Sequence, residues 1–194
     1  MRTPWSIVAA LLAITLAGAG PAARQRQEQP TVVILVRHAE KATADQQDRD
    51  PPLTPAGEQR ARDLWEAVRG AGVNAIVTTE LRRTRLTAQP SADSLHLTSE
   101  VVPASAQTAS AVADLVRRRH AGQTVLVVGH SNTVPQTIVA LGGASPGGDI
   151  CDSQYGNLFV VVIRSRGPTS VTHAHYGAPD PPGGAGCVNG IQRR

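Results

Sequence analysis

Two histidines, His38 and His130, each stand directly behind a short apolar run, and arginines stand beside or near them. The run VVILV (32–36) leads into Arg37, His38 and then Glu40, and VLVVG (125–129) leads into His130, Ser131 and Asn132. The weaker run AIV (75–77) is followed by Thr78, Thr79, Glu80, Arg82, Arg83 and Arg85. These residue types suit a phosphoryl group. Guanidinium forks match phosphate oxygens, a neutral imidazole can attack phosphorus, and a second histidine can stabilise the group in transfer. Backbone N–H groups of a helix beginning near Ser131 would add to an anion site. Arginine supplies the charge that a metal ion supplies elsewhere, so neither a metal nor another cofactor is expected. The leaving alcohol needs an acid, for which Glu40, Glu80 and Glu100 are the candidates; Glu80 equally suits a helix start.

Elements of a definite kind must position such groups. The runs at 32–36, 125–128 and 158–163 do not alternate polar with apolar, which predicts strands covered on both faces. Helical patterns lie between them. Thr54 is a candidate N-cap with Pro55 at the first position, and Ala61, Leu64, Trp65 and Val68 form a stripe that ends at Gly70, making Trp65 a core residue. A second helix is expected from near Leu81, interrupted or bent at Pro90. A third carries Val112, Leu115 and Val116, and a fourth Val134, Ile138 and Leu141 before Gly142 and Gly143. Alternating strand and helix predicts an α/β fold, a three-layer sandwich with a mostly parallel sheet, whose ligands gather at the C-terminal strand ends. From Gly177 to the C-terminus, Pro and Gly are too dense for regular structure, and a tail is expected, pinned through Cys187 if at all.

The motifs carry a family resemblance. VRHAE resembles the arginine–histidine–glycine motif of the histidine phosphatase (phosphoglycerate mutase-like) superfamily, with Ala39 in place of glycine. TTELRRTRLTA (78–88) is similar to its second motif, in which an arginine precedes a small residue and then Thr-Ala, with Arg83 at that arginine, and VVGHSN (127–132) to its third; LTPAG (53–57) and YGNLFVV (155–161) resemble further landmarks. The resemblance runs from about Val32 to Ile163, within an expected domain at 31–176. It implies that Arg37 and Arg83 bind phosphate, that His38 is the nucleophile that becomes phosphorylated, that His130 stabilises the transferred group, and that Asn132 helps orient it. The short stretch where many members insert an acid-bearing segment resembles compact members acting on broad or phosphoprotein substrates, and argues against a glycolytic mutase. The implied activity is phosphomonoester hydrolysis; a non-catalytic anion-binding module and a phosphoryl-transferring mutase are the alternatives.

The chain has 194 residues and a formal net charge of +4, enough for one domain with a real core. Its first 23 residues run positive, apolar, then small, the layout of a secretory leader, so a periplasmic or secreted product with no membrane attachment after leader removal is expected. In that compartment Cys151 and Cys187 could pair. The basic run at Arg117, Arg118 and Arg119 suits a helix C-terminus, and with 3% aromatic residues there is little to stack bases on, so no nucleic-acid partner is expected. The partner expected is a phosphorylated small molecule or a phosphoprotein. His173 and His175 share a face of a possible strand but lack further metal ligands, and His96 and His120 need no special role. CVNGIQR (187–193) has cysteine-phosphatase spacing without the strand and helix that would hold such a loop.

Overall fold

The computed structural model describes residues 29–192 except Gln46, so the expected leader lies outside the described residues. The apolar runs form β1 (Thr31–Arg37), β2 (Val73–Thr79), β4 (Thr124–Gly129) and β5 (Asn157–Ile163), joined by the short β3 (Glu100–Val102) and by β6 (Ser170–His175). These six make one sheet in the order β3-β2-β4-β1-β5-β6. Contacts among β3, β2, β4 and β1 are parallel, whereas β5 runs antiparallel to both β1 and β6.

The layers follow from strand geometry, because successive side chains point to opposite faces. Val33 and Leu35 of β1 join Val112 and Val116 of α3 (Thr108–Arg119) and Val134 and Ile138 of α4 (Thr133–Ala140). Ile34 and Val36 join Leu64 and Val68 of α1 (Pro55–Val68) and Ala88 and Ala92 of α2 (Arg82–Leu95). Thus β1 is apolar on both sides because helices cover both, and the chain is the expected three-layer α/β sandwich.

Helix ends follow local chemistry. Thr54 Oγ1 accepts the Gly57 N–H at 3.1 Å and Pro55 opens α1. Trp65 is only partly buried beside the core, and Arg60 occupies the buried stripe instead. α2 is not interrupted at Pro90 but continues to Leu95. Leu86, whose carbonyl lacks the N–H that Pro90 cannot supply, lies on an exposed part of the helix. Arg117, Arg118 and Arg119 do end α3, and Arg119 pairs with Glu100 at 2.7 Å.

Register aligns the strand ends. Arg37 lies opposite Gly129 and Thr78 opposite Val128, so β1, β4 and β2 finish almost level, and the His38 N–H extends the ladder to the Gly129 carbonyl at 2.9 Å. Because β5 is antiparallel it begins at this same edge, and because β6 is antiparallel to β5 it ends there, with Asn157 opposite His175. The loop before β5 and the segment after β6 are therefore both delivered to the strand ends.

The segment after β6 has more order than its composition suggests. It contains a small antiparallel pair, β7 (Cys187–Val188) and β8 (Ile191–Gln192), with Ile191 buried in the core. Cys187 is disulfide-bonded to Cys151, 36 residues away. On a chain-entropy account, closing a loop of that size stabilises the fold by about 4 kcal/mol. Gly190 has φ +80°, and a Cβ there would come within 2.6 Å of the Asn157 side chain, so this turn requires glycine. Among the described residues no helix is long and apolar enough to cross a membrane.

Candidate active site

His38 follows β1 at the buried centre of the sheet edge and is 4% exposed. Its Nδ1–H donates to the Ala39 carbonyl at 2.8 Å, which leaves the Nε2 lone pair as the free nucleophilic position. Burial, aided by the charges of Arg37 and Arg83 and by His130, pushes its pKa down to about 3, against the raising effect of the Ala39 carbonyl. At neutral pH the ring is uncharged. The Ala39 N–H donates to Thr87 Oγ1 at 2.9 Å, and the Thr87 hydroxyl donates to the Arg83 carbonyl at 2.7 Å, tying the histidine's backbone to α2.

His130 enters from the end of β4, its ring centroid 5.5 Å from that of His38 in an edge arrangement. Its Nε2 shares a hydrogen bond of 3.1 Å with Thr79 Oγ1, which also contacts Thr84 Oγ1 at 3.0 Å. Burial first, then Arg83 and Arg37, lowers its pKa to about 4, with Glu80 acting in the opposite sense.

Arg37 is 5% exposed and is held from behind. Its Nη1 donates to the carbonyls of Cys151 at 2.8 Å, Asp152 at 3.0 Å and Gln154 at 3.3 Å, and the guanidinium lies 4.4 Å from the centroid of the Tyr155 ring. The nearest carboxylate oxygen, of the fully exposed Asp152, is 3.8 Å away. Arg83 sits 3.9 Å from Asp50, whose carboxylate also accepts the Arg82 N–H at the start of α2. The Nε–H groups of both Arg37 and Arg83 are buried and have no acceptor. A buried guanidinium on Arg37 and a partly buried one on Arg83, each with a free Nε–H, beside two uncharged imidazoles, make a site whose charge an anion would balance.

The three candidate acids part company. Glu80 is exposed at the end of β2, accepts the Ala104 N–H at 2.8 Å, and its charge acts on both His130 and Arg83. Glu40 is instead gripped by Arg60, whose Nε donates to both carboxylate oxygens at 2.9 and 3.0 Å while Nη2 lies 2.8 Å from Oε1. Glu100 is bound by His120 and Arg119, each at 2.7 Å, at the C-terminal turn of α3. The structure brings together Arg37, His38, Arg83, His130 and Glu80, and leaves Glu40 and Glu100 in other ion pairs. Asn132 is exposed just before α4, and its side chain makes no hydrogen bond among the described residues. His173 stacks on Phe159 and bonds to Asn157, and no metal-holding group of three or more His, Cys, Asp or Glu occurs among the described residues.

Sequence reasoning gave no individual role to Thr79, Thr87, Tyr155 or Asp50, all of which touch a site residue. It also overlooked Arg60, although an arginine in register with Ala61, Leu64 and Val68 on a buried stripe is itself a signal of a buried ion pair.

A model of the histidine phosphatase superfamily (branch 1) matches residues 33–106. The crystal structure of a protein assigned as the phosphohistidine phosphatase SixA from Agrobacterium tumefaciens is 26% identical, with 77% of this chain and 99% of that chain covered and a TM-score of 0.57. Over these residues the chain is similar to the histidine phosphatase superfamily. A protein of Yersinia enterocolitica assigned as the phosphoglycerate mutase GpmB is 41% identical over 69 residues, a match spanning 34% of this chain and 32% of that relative. A tungstate complex of the protein histidine phosphatase SixA, at 19% identity and a TM-score of 0.59, covers 74% of this chain and 96% of the other and shares the fold.

The segment matched by that family carries Arg37, His38, Glu80 and Arg83. His130 lies beyond it and joins them through the register of β4 beside β1. Ala39, where the superfamily motif has glycine, is fully buried in a small cluster with Leu53 and Ala61 that accepts its methyl group.

Proposed function

We propose that this protein is a phosphomonoester hydrolase that works through a phosphohistidine on His38, without a metal. The observation that carries this reading is the pair of buried, partner-free guanidinium Nε–H groups beside a His38 that is uncharged and has its Nε2 lone pair free. Arg37 and Arg83 bind the phosphoryl oxygens. His38 Nε2 attacks phosphorus, the N–P bond forms as the P–O bond to the leaving alcohol breaks, and Glu80 gives that oxygen a proton. Water then attacks the phosphohistidine, Glu80 takes a proton back, and inorganic phosphate leaves. His130 stabilises the charge on the group in transfer. Glu80 has the role of acid because its charge acts on His130 and Arg83, whereas Glu40 and Glu100 are engaged elsewhere.

The substrate is a phosphorylated small molecule or a phosphoprotein, a reading supported by the SixA relative of Agrobacterium tumefaciens and by the short segment between α2 and α3, which adds no large cover to the pocket. An oxidising location, periplasmic or secreted, is supported by the Cys151–Cys187 bond and by the leader-like first 23 residues. The similarity to a phosphoglycerate mutase favours phosphoryl transfer as the second reading.

Turnover of an aryl phosphate in the presence of a chelator tests the proposal. Expected are release of inorganic phosphate, loss of turnover in His38→Ala, and a trapped phosphoenzyme that is labile in acid and stable in base. Phosphate that moves to a second position on the substrate without release would establish the mutase reading. Phosphate binding with no turnover of any phosphoester in a panel would establish an anion-binding module.

A further inference from the structure

Arg37 is aimed by a loop that is itself held by the end of the chain. Residues 151–155 supply three carbonyls to its Nη1 and an aromatic face to its guanidinium. The C-terminal strap grips the same loop at successive points. Cys187 is bonded to Cys151, and the Cys151 N–H donates to the Gly190 carbonyl at 3.0 Å. Gln154 Nε2 donates to the Pro181 carbonyl, while Asp180 Oδ2 accepts the N–H groups of Tyr155 at 3.0 Å and Gly156 at 2.8 Å. Asp180 is in turn 5% exposed and paired with the buried Arg60 at 3.2 Å, close enough for an ion pair though not aligned as a hydrogen bond.

We propose that the C-terminal strap is a positioning element for Arg37, acting through the Cys151–Cys187 bond and Asp180, so that phosphate affinity depends on the oxidised disulfide. This rests on Arg37 as a phosphate ligand. With Nη1 occupied by three carbonyls, only the Nε and Nη2 edge is left to face the anion, and the fork is oriented before substrate arrives. A dithiol breaks the Sγ–Sγ bond by delivering two electrons and two protons. Both sulfurs become thiols and the reductant closes to its own disulfide. The loop then keeps Asp180 but loses its covalent tie at Cys151, the residue whose carbonyl is the first ligand to Arg37.

The test is calorimetric titration of the full chain with inorganic phosphate, paired with aryl phosphate kinetics, on oxidised protein, dithiothreitol-reduced protein, Cys151→Ser/Cys187→Ser, and Asp180→Asn with its disulfide intact. Expected is a parallel rise in phosphate Kd and KM of about 10-fold, with kcat changed less than about 3-fold, as loss of a contact made equally in ground and transition states requires. In an Arg37→Lys background the same changes add almost nothing. Equal phosphate affinity in oxidised and reduced protein would overturn the proposal, as would an undiminished effect in the Arg37→Lys background. Should reduction unfold the chain, Asp180→Asn decides by the same criterion. Oxidised wild-type protein that binds no phosphate would instead remove the phosphate site itself.

Discussion

The parallel and antiparallel halves of the sheet serve the site in different ways. In the parallel half, β1, β2 and β4 end almost level and turn out His38, His130 and Glu80 directly after their last residues, with Arg83 following in the first turn of α2. In the antiparallel half, β5 and β6 present no reacting group. Their reversed direction instead returns the 150–156 loop and the C-terminal strap to the same edge, where they support Arg37 from behind. Reactive groups thus sit on rigid strand ends, and a cross-linked irregular segment aims the guanidinium.

The widest difference between the halves should be in turnover. His38→Ala should lower kcat by on the order of 10³-fold or more while leaving phosphate binding measurable, because Arg37 and Arg83 remain. Comparable turnover in variant and wild type would break the division.

A smaller effect separates two glutamates only 40 residues apart in the chain. Glu80→Gln should cost about 10²-fold or more in kcat for poor leaving groups, and less for activated aryl phosphates, with little change in Tm. Glu40→Gln should do the reverse, losing about 2–4 kcal/mol in denaturant unfolding because it strips a partner from the buried Arg60. A rate defect confined to Glu40→Gln would reverse the assignment of the acid.

Acid should weaken the fold through the histidines of the parallel half. Unfolded, they bind protons near pH 6.5, but folded His38 does so only near 3 and His130 near 4. Between these values the unfolded state holds more protons. The histidine contribution is therefore complete above about pH 6.5 and is lost as pH falls, by about 2 kcal/mol from His38 at pH 5. Urea unfolding across pH 4–8 measures the slope, which should be shallower in His38→Ala.

The smallest change belongs to the antiparallel half. Tyr155→Leu removes the aromatic face under Arg37 and should raise KM about 3- to 5-fold, with kcat nearly unchanged. An unaltered KM would confine the loop's support of Arg37 to its carbonyls.

Legibility divides along the same line. Sites following a strand declare themselves, because an apolar run fixes where the strand ends and the next residues must emerge there. That is how Arg37, His38, His130 and the Glu80–Arg83 segment could be read together. Glu40 misled because adjacency to His38 says nothing of side-chain direction, and it turns to Arg60, 20 residues away. The residues from Gly177 onward were opaque because a Pro- and Gly-rich segment has no periodicity, and its order comes from contacts with a distant loop.

By itself the sequence determined the three-layer α/β class, the N-cap of α1, the pairing of histidine with arginine at strand ends, and the phosphoryl chemistry those groups imply. These are properties of local pattern and residue type. Only the tertiary structure decided which carboxylates are engaged in ion pairs, what holds Arg37, and that Cys151 and Cys187 join. Each of those depends on strand direction and register, which bring together residues that no local period connects.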